Sequence, residues 1–221
     1  MNSMFRLPIR AALCASLGIL PLTAAPTMAH QEHSSAAKQQ PRSEKASQTA
    51  SALRDLWVGH IFWVRNVSLA TLAKNEAAAK AAEQQAVANA QSIAAAIEPF
   101  YGSAAKESFF KLLAGHYGAV KAYLVATVAN DASGQSTATQ SLTSNAEEIA
   151  IFLNKANPNL PKDAVNGLLL AHGGHHIQQI QELKDRKYDA EAKTWKEMKD
   201  HMYQIADAMT DALVKQFAKK F

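Results

Sequence analysis

Three histidines share one interval. His60, His116 and His172 stand 56 residues apart, and each follows a small residue, Gly59, Gly115 and Ala171. Their flanks align as well: Leu53-Arg-Asp-Leu-Trp-Val-Gly-His60, Phe109-Phe-Lys-Leu-Leu-Ala-Gly-His116 and Val165-Asn-Gly-Leu-Leu-Leu-Ala-His172. Imidazole donates, accepts and ligates transition metals near neutral pH, so a group carried through three copies points to a site or to a polar layer. A fourth histidine belongs to a second series. Met198-Lys-Asp-His201-Met-Tyr-Gln-Ile205 aligns at the same offset with Leu142-Thr-Ser-Asn145-Ala-Glu-Glu-Ile149 and with Ala86-Val-Ala-Asn89-Ala-Gln-Ser-Ile93. His176 follows His172 by one helical turn, on the same face, whereas His175 points elsewhere. Glu148 follows Asn145 by three residues.

Neutral imidazoles with one carboxylate suit Zn(II), Cu(II) or Ni(II) better than Mg or Ca. The expected ligands are therefore His60, His116, His172 and His201, with His176 and Glu148 next, and Asn89, Asn145 or Glu148 as partners for the second ring nitrogen. A small ligand held by the same layer is the broader form of this reading. The competing reading is a buried hydrogen-bond network that fixes register among similar helices. Asparagine at two of the six positions favours it, because amides are poor transition-metal ligands.

Other chemistry finds less support. No Cys-x-x-Cys-His exists, which excludes covalent haem, and no Glu-x-x-His pair lies within a helix, so the di-iron bundle signature is missing. Non-covalent haem through histidine and Met198, Met202 or Met209 is compatible with the residue types, but methionines at helical spacing suit core filling. There is no Gly-rich phosphate loop or nucleophile elbow. No nucleophile, base and orienting group can be read together, so an enzyme is not expected.

The elements that must carry these residues are helices. Strand signals are absent, and apolar residues recur at helical spacing from Ser51 onward. Six helices are predicted, over about 52–74, 77–97, 103–129, 136–156, 161–186 and 190–219, with punctuation at Pro99 and Gly102, Asn130 to Gly134, and Asn157-Pro-Asn159. Each successive pair of the six polar residues is equidistant from the turn between them. They should therefore share one level, roughly 20 Å from either end of the helices at about 1.5 Å rise per residue. The expected fold is an all-α bundle of three antiparallel hairpins with a 56-residue repeat.

The first residues read differently. Arg6 and Arg10, the apolar stretch 11–22 and Thr27-Met-Ala29 resemble a secretory signal peptide over 1–29. Cleavage there would remove Cys14, the one cysteine, and with it any disulfide or thiolate site. It would also leave His30 as an N-terminal residue able to chelate copper with its own amine, near His33. Residues 30–50 read as a disordered polar linker, and 51–221 as the helical domain. Without Arg6 and Arg10 the balance is 21 basic to 19 acidic residues, too even to suggest nucleic acid or an anionic surface as a partner. No later segment reads as a membrane span, because charges interrupt the apolar stretches.

Leu56-Trp-x-x-His60-x-x-Trp63-x-Arg65-Asn66, Pro99-Phe-Tyr-Gly102, Asn145-Ala-Glu-Glu-Ile-Ala-x-Phe-Leu153, Ala156-Asn-Pro-Asn159 and the ending Lys215-Gln-Phe-x-x-x-Phe221 resemble a family of small, all-helical, exported bacterial proteins. The resemblance covers about residues 53–221. It implies an all-helical domain and supplies no catalytic residue. Transferase labels attach to some members, and nothing in these residues supports one. The family favours a carboxylate where this chain has Ser92, which weakens a metal reading through the second helix. The expectation is thus a periplasmic or secreted bundle that binds a transition metal or small ligand. The alternative is a structural protein that meets a partner in the cell envelope.

Overall fold

The computed structural model describes residues 42–221. The signal segment 1–29, with Cys14, and the stretch 30–41, with His30 and His33, lie outside the described residues. Six long helices account for nearly all of the described chain: α1 (Glu44–Leu72), α2 (Glu76–Ala95), α4 (Ser103–Ala129), α5 (Ala132–Ala156), α6 (Lys162–Lys184) and α7 (Tyr188–Gln216). A single turn of helix, α3 (Glu98–Tyr101), fills the connection at Pro99, and a 3-10 turn (Ala218–Lys220) ends the chain. Among the described residues there is no strand, so the fold is all-α.

The boundary of the polar linker needs correction. The tract expected to stay unstructured to residue 50 is helical from Glu44. Ser43 caps it, its side chain accepting the Ala46 N–H at 3.1 Å, and Glu44 lies in the first turn, where a carboxylate meets the positive end of the helix. Ala46 and Ala50 are buried and continue the stripe of Leu53 and Trp57. Arg42 anchors the entry, its guanidinium donating to Asp207 at 3.2 Å and Asp211 at 2.8 Å.

Three connections turn in the same way. Lys74, Asn130 and Arg186 have φ of 56°, 55° and 59°, and these positions are again 56 residues apart. In each, the next N–H bonds back to a carbonyl five residues earlier: Asn75 to Ala70 (2.9 Å), Asp131 to Ala126 (2.8 Å) and Lys187 to Glu182 (2.8 Å). That is the left-handed helix stop that satisfies the last free carbonyls of a helix. Asn75 and Asp131 then cap the following helices through Ala78 N and Gly134 N. Each stop folds one long helix back on the next.

The resulting pairs are α1 with α2, α4 with α5, and α6 with α7. α2 meets α4, α5 meets α6, and α7 returns to α1, which closes the six helices into a ring. α1, α4 and α6 also meet one another across the middle. Two apolar clusters fill the interior. One holds Trp57, Ile61, Leu113, Leu169 and Met202; the other holds Val64, Val67, Val120, Tyr123 and Ile180. Burying a side chain of this size stabilises the fold by about 1.5–3 kcal/mol. α4 is long and apolar enough to cross a membrane by composition, contrary to the sequence reading, but half of that stretch is buried inside the bundle.

Candidate metal centre

Between the two apolar clusters the inner helices carry polar groups. α1 runs from Trp57 through His60 to Val64, α4 from Leu113 through His116 to Val120, and α6 from Leu169 through His172 and His176 to Ile180. The helical period keeps these residues on the face that looks at the axis. His60, His116, His172 and His176 are 6, 4, 1 and 1 % exposed. One nitrogen from each lies within 4.8 Å of one nitrogen of every other. The His172 and His176 rings are 4.4 Å apart, with their Nε2 atoms at 3.2 Å. His116 stacks on His172 at 5.2 Å and 13°. His60 stands 5.4 Å from both His172 and His176.

Apart from that single Nε2–Nε2 contact, the rings lack partners. His60 Nε2, both nitrogens of His116, and Nδ1 of His172 and His176 are buried without a hydrogen bond. A closed network would have satisfied them. Burial, then the neighbouring His116, pushes His60 down to about 3. Burial holds His116 at about 4. His172 and His176 lie well below the usual imidazole range, first through burial and then through the other imidazoles of the group. All four rings are therefore neutral at pH 7, the form that ligates metal. No carboxylate joins the group. The nearby buried carboxylate, Glu191, is engaged by Arg65 at 2.6 and 2.8 Å and by the Gln179 amide at 2.9 Å. Arg65, a candidate anion binder by type, is thereby used inside the fold.

The other series of polar residues does a different job. Asn89 donates to the Leu56 carbonyl at 3.1 Å, Asn145 to Leu112 at 3.0 Å, and His201 Nε2 to Leu168 at 2.8 Å, each across 33 residues. Each ties the outer helix of a pair to the turn preceding the inner histidine. The small residue before that histidine follows from this contact. A Cβ at Gly59 would meet Asn89 Nδ2 at 2.8 Å, and one at Gly115 would meet Asn145 Nδ2 at 3.1 Å, so glycine gives the amide room that a larger residue would take from it. Ala171 stands where the longer His201 makes the reach.

Two expected ligands are therefore misplaced. His201 lies outside the four-imidazole group because its ring is spent on a backbone carbonyl. Glu148 is exposed on the outer side of α5. Its spacing from Asn145 puts it near the right height, but its direction takes it to solvent. His176 moves from a secondary ligand to a full member of the group. The Asn145 side chain sits against the His116 ring, and its Oδ1 accepts no hydrogen bond, which leaves it open to a ring N–H. Ser92 is exposed and bonds to the Ala88 carbonyl on its own helix. A small apolar void of about 20 Å³ is lined by Trp57, Ile149, Val165 and Leu169, room for one water molecule.

The arrangement is a closed set of four neutral nitrogen donors. Ideal tetrahedral coordination at a metal–nitrogen distance of about 2.05 Å separates the donors by about 3.3 Å. The His172–His176 pair at 3.2 Å already meets this, and the rest need only close inward. These four buried histidines can hold a metal ion. Comparison with family models, with curated proteins and with solved structures finds no match for the chain.

Proposed function

We propose that this protein is an exported helical bundle that binds one transition-metal ion through His60, His116, His172 and His176. The observation that carries the reading is the group of buried, unpartnered ring nitrogens within 4.8 Å of one another. An unpaired buried polar atom costs about 1–3 kcal/mol, and an ion converts several of those costs into coordination bonds at once. Four nitrogen donors without thiolate or carboxylate favour Zn(II) in tetrahedral geometry. Cu(II) and Ni(II), which prefer tetragonal arrangements, come second. Four protein ligands leave no open coordination position for a substrate, so the reading is carriage, storage or stabilisation rather than catalysis. Export rests on the signal-like segment 1–29 and places the protein in the periplasm or outside the cell.

Metal analysis of tag-free full-length protein tests this. After loading with Zn, Cu or Ni and gel filtration, about one ion per chain is expected for at least one metal. Content near zero for all three overturns the proposal. The structural alternative draws on the bonds of Asn89, Asn145 and His201 to helix carbonyls. It accounts for the outer half of the layer and leaves the inner imidazoles without a purpose.

A further inference from the structure

The four imidazoles of the centre are not equivalent along the chain. His60 and His116 each come alone from their helix, while His172 and His176 share one turn of α6. At the positions 56 and 112 residues before His176 stand Val120 and Val64. The first two copies thus fill this place with an apolar side chain, and the third adds a ring. That addition makes α6 a chelate by itself. The two Nε2 atoms are 3.2 Å apart, close to the edge of a coordination tetrahedron, and their spacing follows from one helical turn. His116 and His60 join only through tertiary packing. Their rings lie 5.2 and 5.4 Å from that of His172, across 56 and 112 residues of chain.

Two glycines sit inside this turn. A Cβ at Gly173 would meet Leu142 Cδ2 at 2.9 Å, so the close packing of α5 on α6 accounts for that one. Gly174 has no neighbouring atom within 4 Å of where its Cβ would stand, so packing does not account for it. Glycine weakens a helix interior because it has more freedom to lose on folding. The turn that carries the chelate is therefore weak by itself, and an ion bridging its two histidines would tie it. The finished centre, by contrast, is closed. Its rings are 1 to 6 % exposed. Trp57, Leu113 and Leu169 belong to the apolar cluster on one side, and Val64, Val120 and Ile180 to that on the other. A hydrated divalent ion must lose its water to pass such walls, and apolar side chains do not compensate its charge on the way.

We infer that the His172–His176 pair captures the ion while the ring of helices is still open, and that His116 and His60 complete the site as the ring closes over it. This rests on the four histidines being a metal centre. Two neutral nitrogens of α6 replace two waters of the hydrated ion. The remaining waters leave as α4 and α1 bring in their rings, with no change of oxidation state. The bound ion then links all three hairpins, with one nitrogen each from α1 and α4 and two from α6. Linking His60, His116 and His172 closes two successive stretches of 56 residues, which removes freedom from the open chain. Loading belongs to folding, and release to unfolding.

Refolding of the full-length protein from urea with Co(II) tests this, because tetrahedral Co(II) absorbs strongly in the visible and the aqua ion weakly. With cobalt present during refolding, the band should rise together with a folding phase that cobalt accelerates. Added to folded metal-free protein, cobalt should enter more slowly, on the order of tenfold or more, because opening limits it. That rate should level off as cobalt concentration rises. Equal rates in the two orders, or refolding that cobalt does not accelerate, overturn the capture and leave the centre standing. No band in either order overturns the centre, and the capture with it. Two ligand variants separate early contacts from late ones. H176V, with the residue of the first two copies, should lose the acceleration by cobalt. H60L should keep it and release cobalt to a chelator faster, on the order of tenfold. Acceleration that survives H176V, or is lost equally in H60L, overturns the capture. Circular dichroism shows whether each variant folds. If H176V does not fold, G174A decides. It should quicken metal-free refolding and shrink the effect of cobalt, and an unchanged cobalt effect overturns the capture.

Discussion

Replacing His116 by leucine separates the two roles that a buried imidazole can have. Both of its nitrogens are buried without a well-formed hydrogen bond, and only the Asn145 side chain approaches the ring, so the metal-free protein gains little from its polarity. Exchanging an unsatisfied polar group for an apolar one of similar size is neutral or stabilising, by up to about 1–3 kcal/mol. H116L is therefore expected to leave the urea midpoint of the metal-free protein unchanged or raised, and to abolish the extra stability on adding Zn(II). In wild-type protein that extra stability should reach about 2.7 kcal/mol at an ion concentration one hundred times Kd. Paired urea titrations with chelator and with Zn(II) read both quantities. A metal-free H116L that loses several kcal/mol would instead show that the ring is part of the structural framework. The contrast with Asn145 is instructive: its amide bonds the Leu112 carbonyl at 3.0 Å, and its loss removes a bond that the folded chain makes.

At the scale of the helix, the stops at Lys74, Asn130 and Arg186 carry strain that the sequence could relieve. Left-handed backbone costs a residue with a Cβ roughly 1–2 kcal/mol, and asparagine less. Lys74→Gly and Arg186→Gly are each expected to raise stability by about 1 kcal/mol, and Asn130→Gly by less. Thermal unfolding of the three variants checks the order, and a loss of stability in K74G would mean that the lysine side chain makes a contact worth more than the strain. These stops show what was legible in the sequence. The midpoints of the polar residues fall on all three connections, as they must when a hairpin folds about its centre. The helix start at Ser43 and Glu44 was not legible: Ala46 and Ala50 bury too little surface to mark a stripe within a polar tract. The inner histidines were legible as a repeated type on an apolar face. His201 was misread because its repeat partners, Asn89 and Asn145, already signalled a hydrogen-bonding role that the shared residue type obscured. Glu148 was misread because spacing along a helix gives height, and only packing gives direction.

The whole molecule places a polar layer across the waist of a ring, with apolar clusters on both sides. Four imidazoles kept neutral there make the entire fold sensitive to acid. An unfolded histidine titrates near pH 6.5, whereas burial holds His60 to about 3 and His116 to about 4. His172 and His176 are lowered by burial and by their neighbours. As pH falls below 6.5 the unfolded chain takes up protons that the folded chain refuses, so stability drops. The drop continues until the folded-state values are reached. Each such ring steepens the slope by about 1.4 kcal/mol per pH unit in that window. Glu191, kept low by its bond to Arg65, withdraws its contribution only when pH falls through the carboxylate range, so the interval from pH 6.5 to 5 belongs to the histidines. The urea midpoint of metal-free protein is expected to fall steadily across this interval, and that of H116L to fall less, by the share of one ring. Bound metal adds a second proton-linked loss, because protons compete for the same nitrogens. The metal-bound protein should start higher at pH 7 and converge on the metal-free curve as the ion is released. A metal-free midpoint that stays level from pH 7 to 5 would mean that the four rings titrate as they do in water, and that the layer is open to solvent.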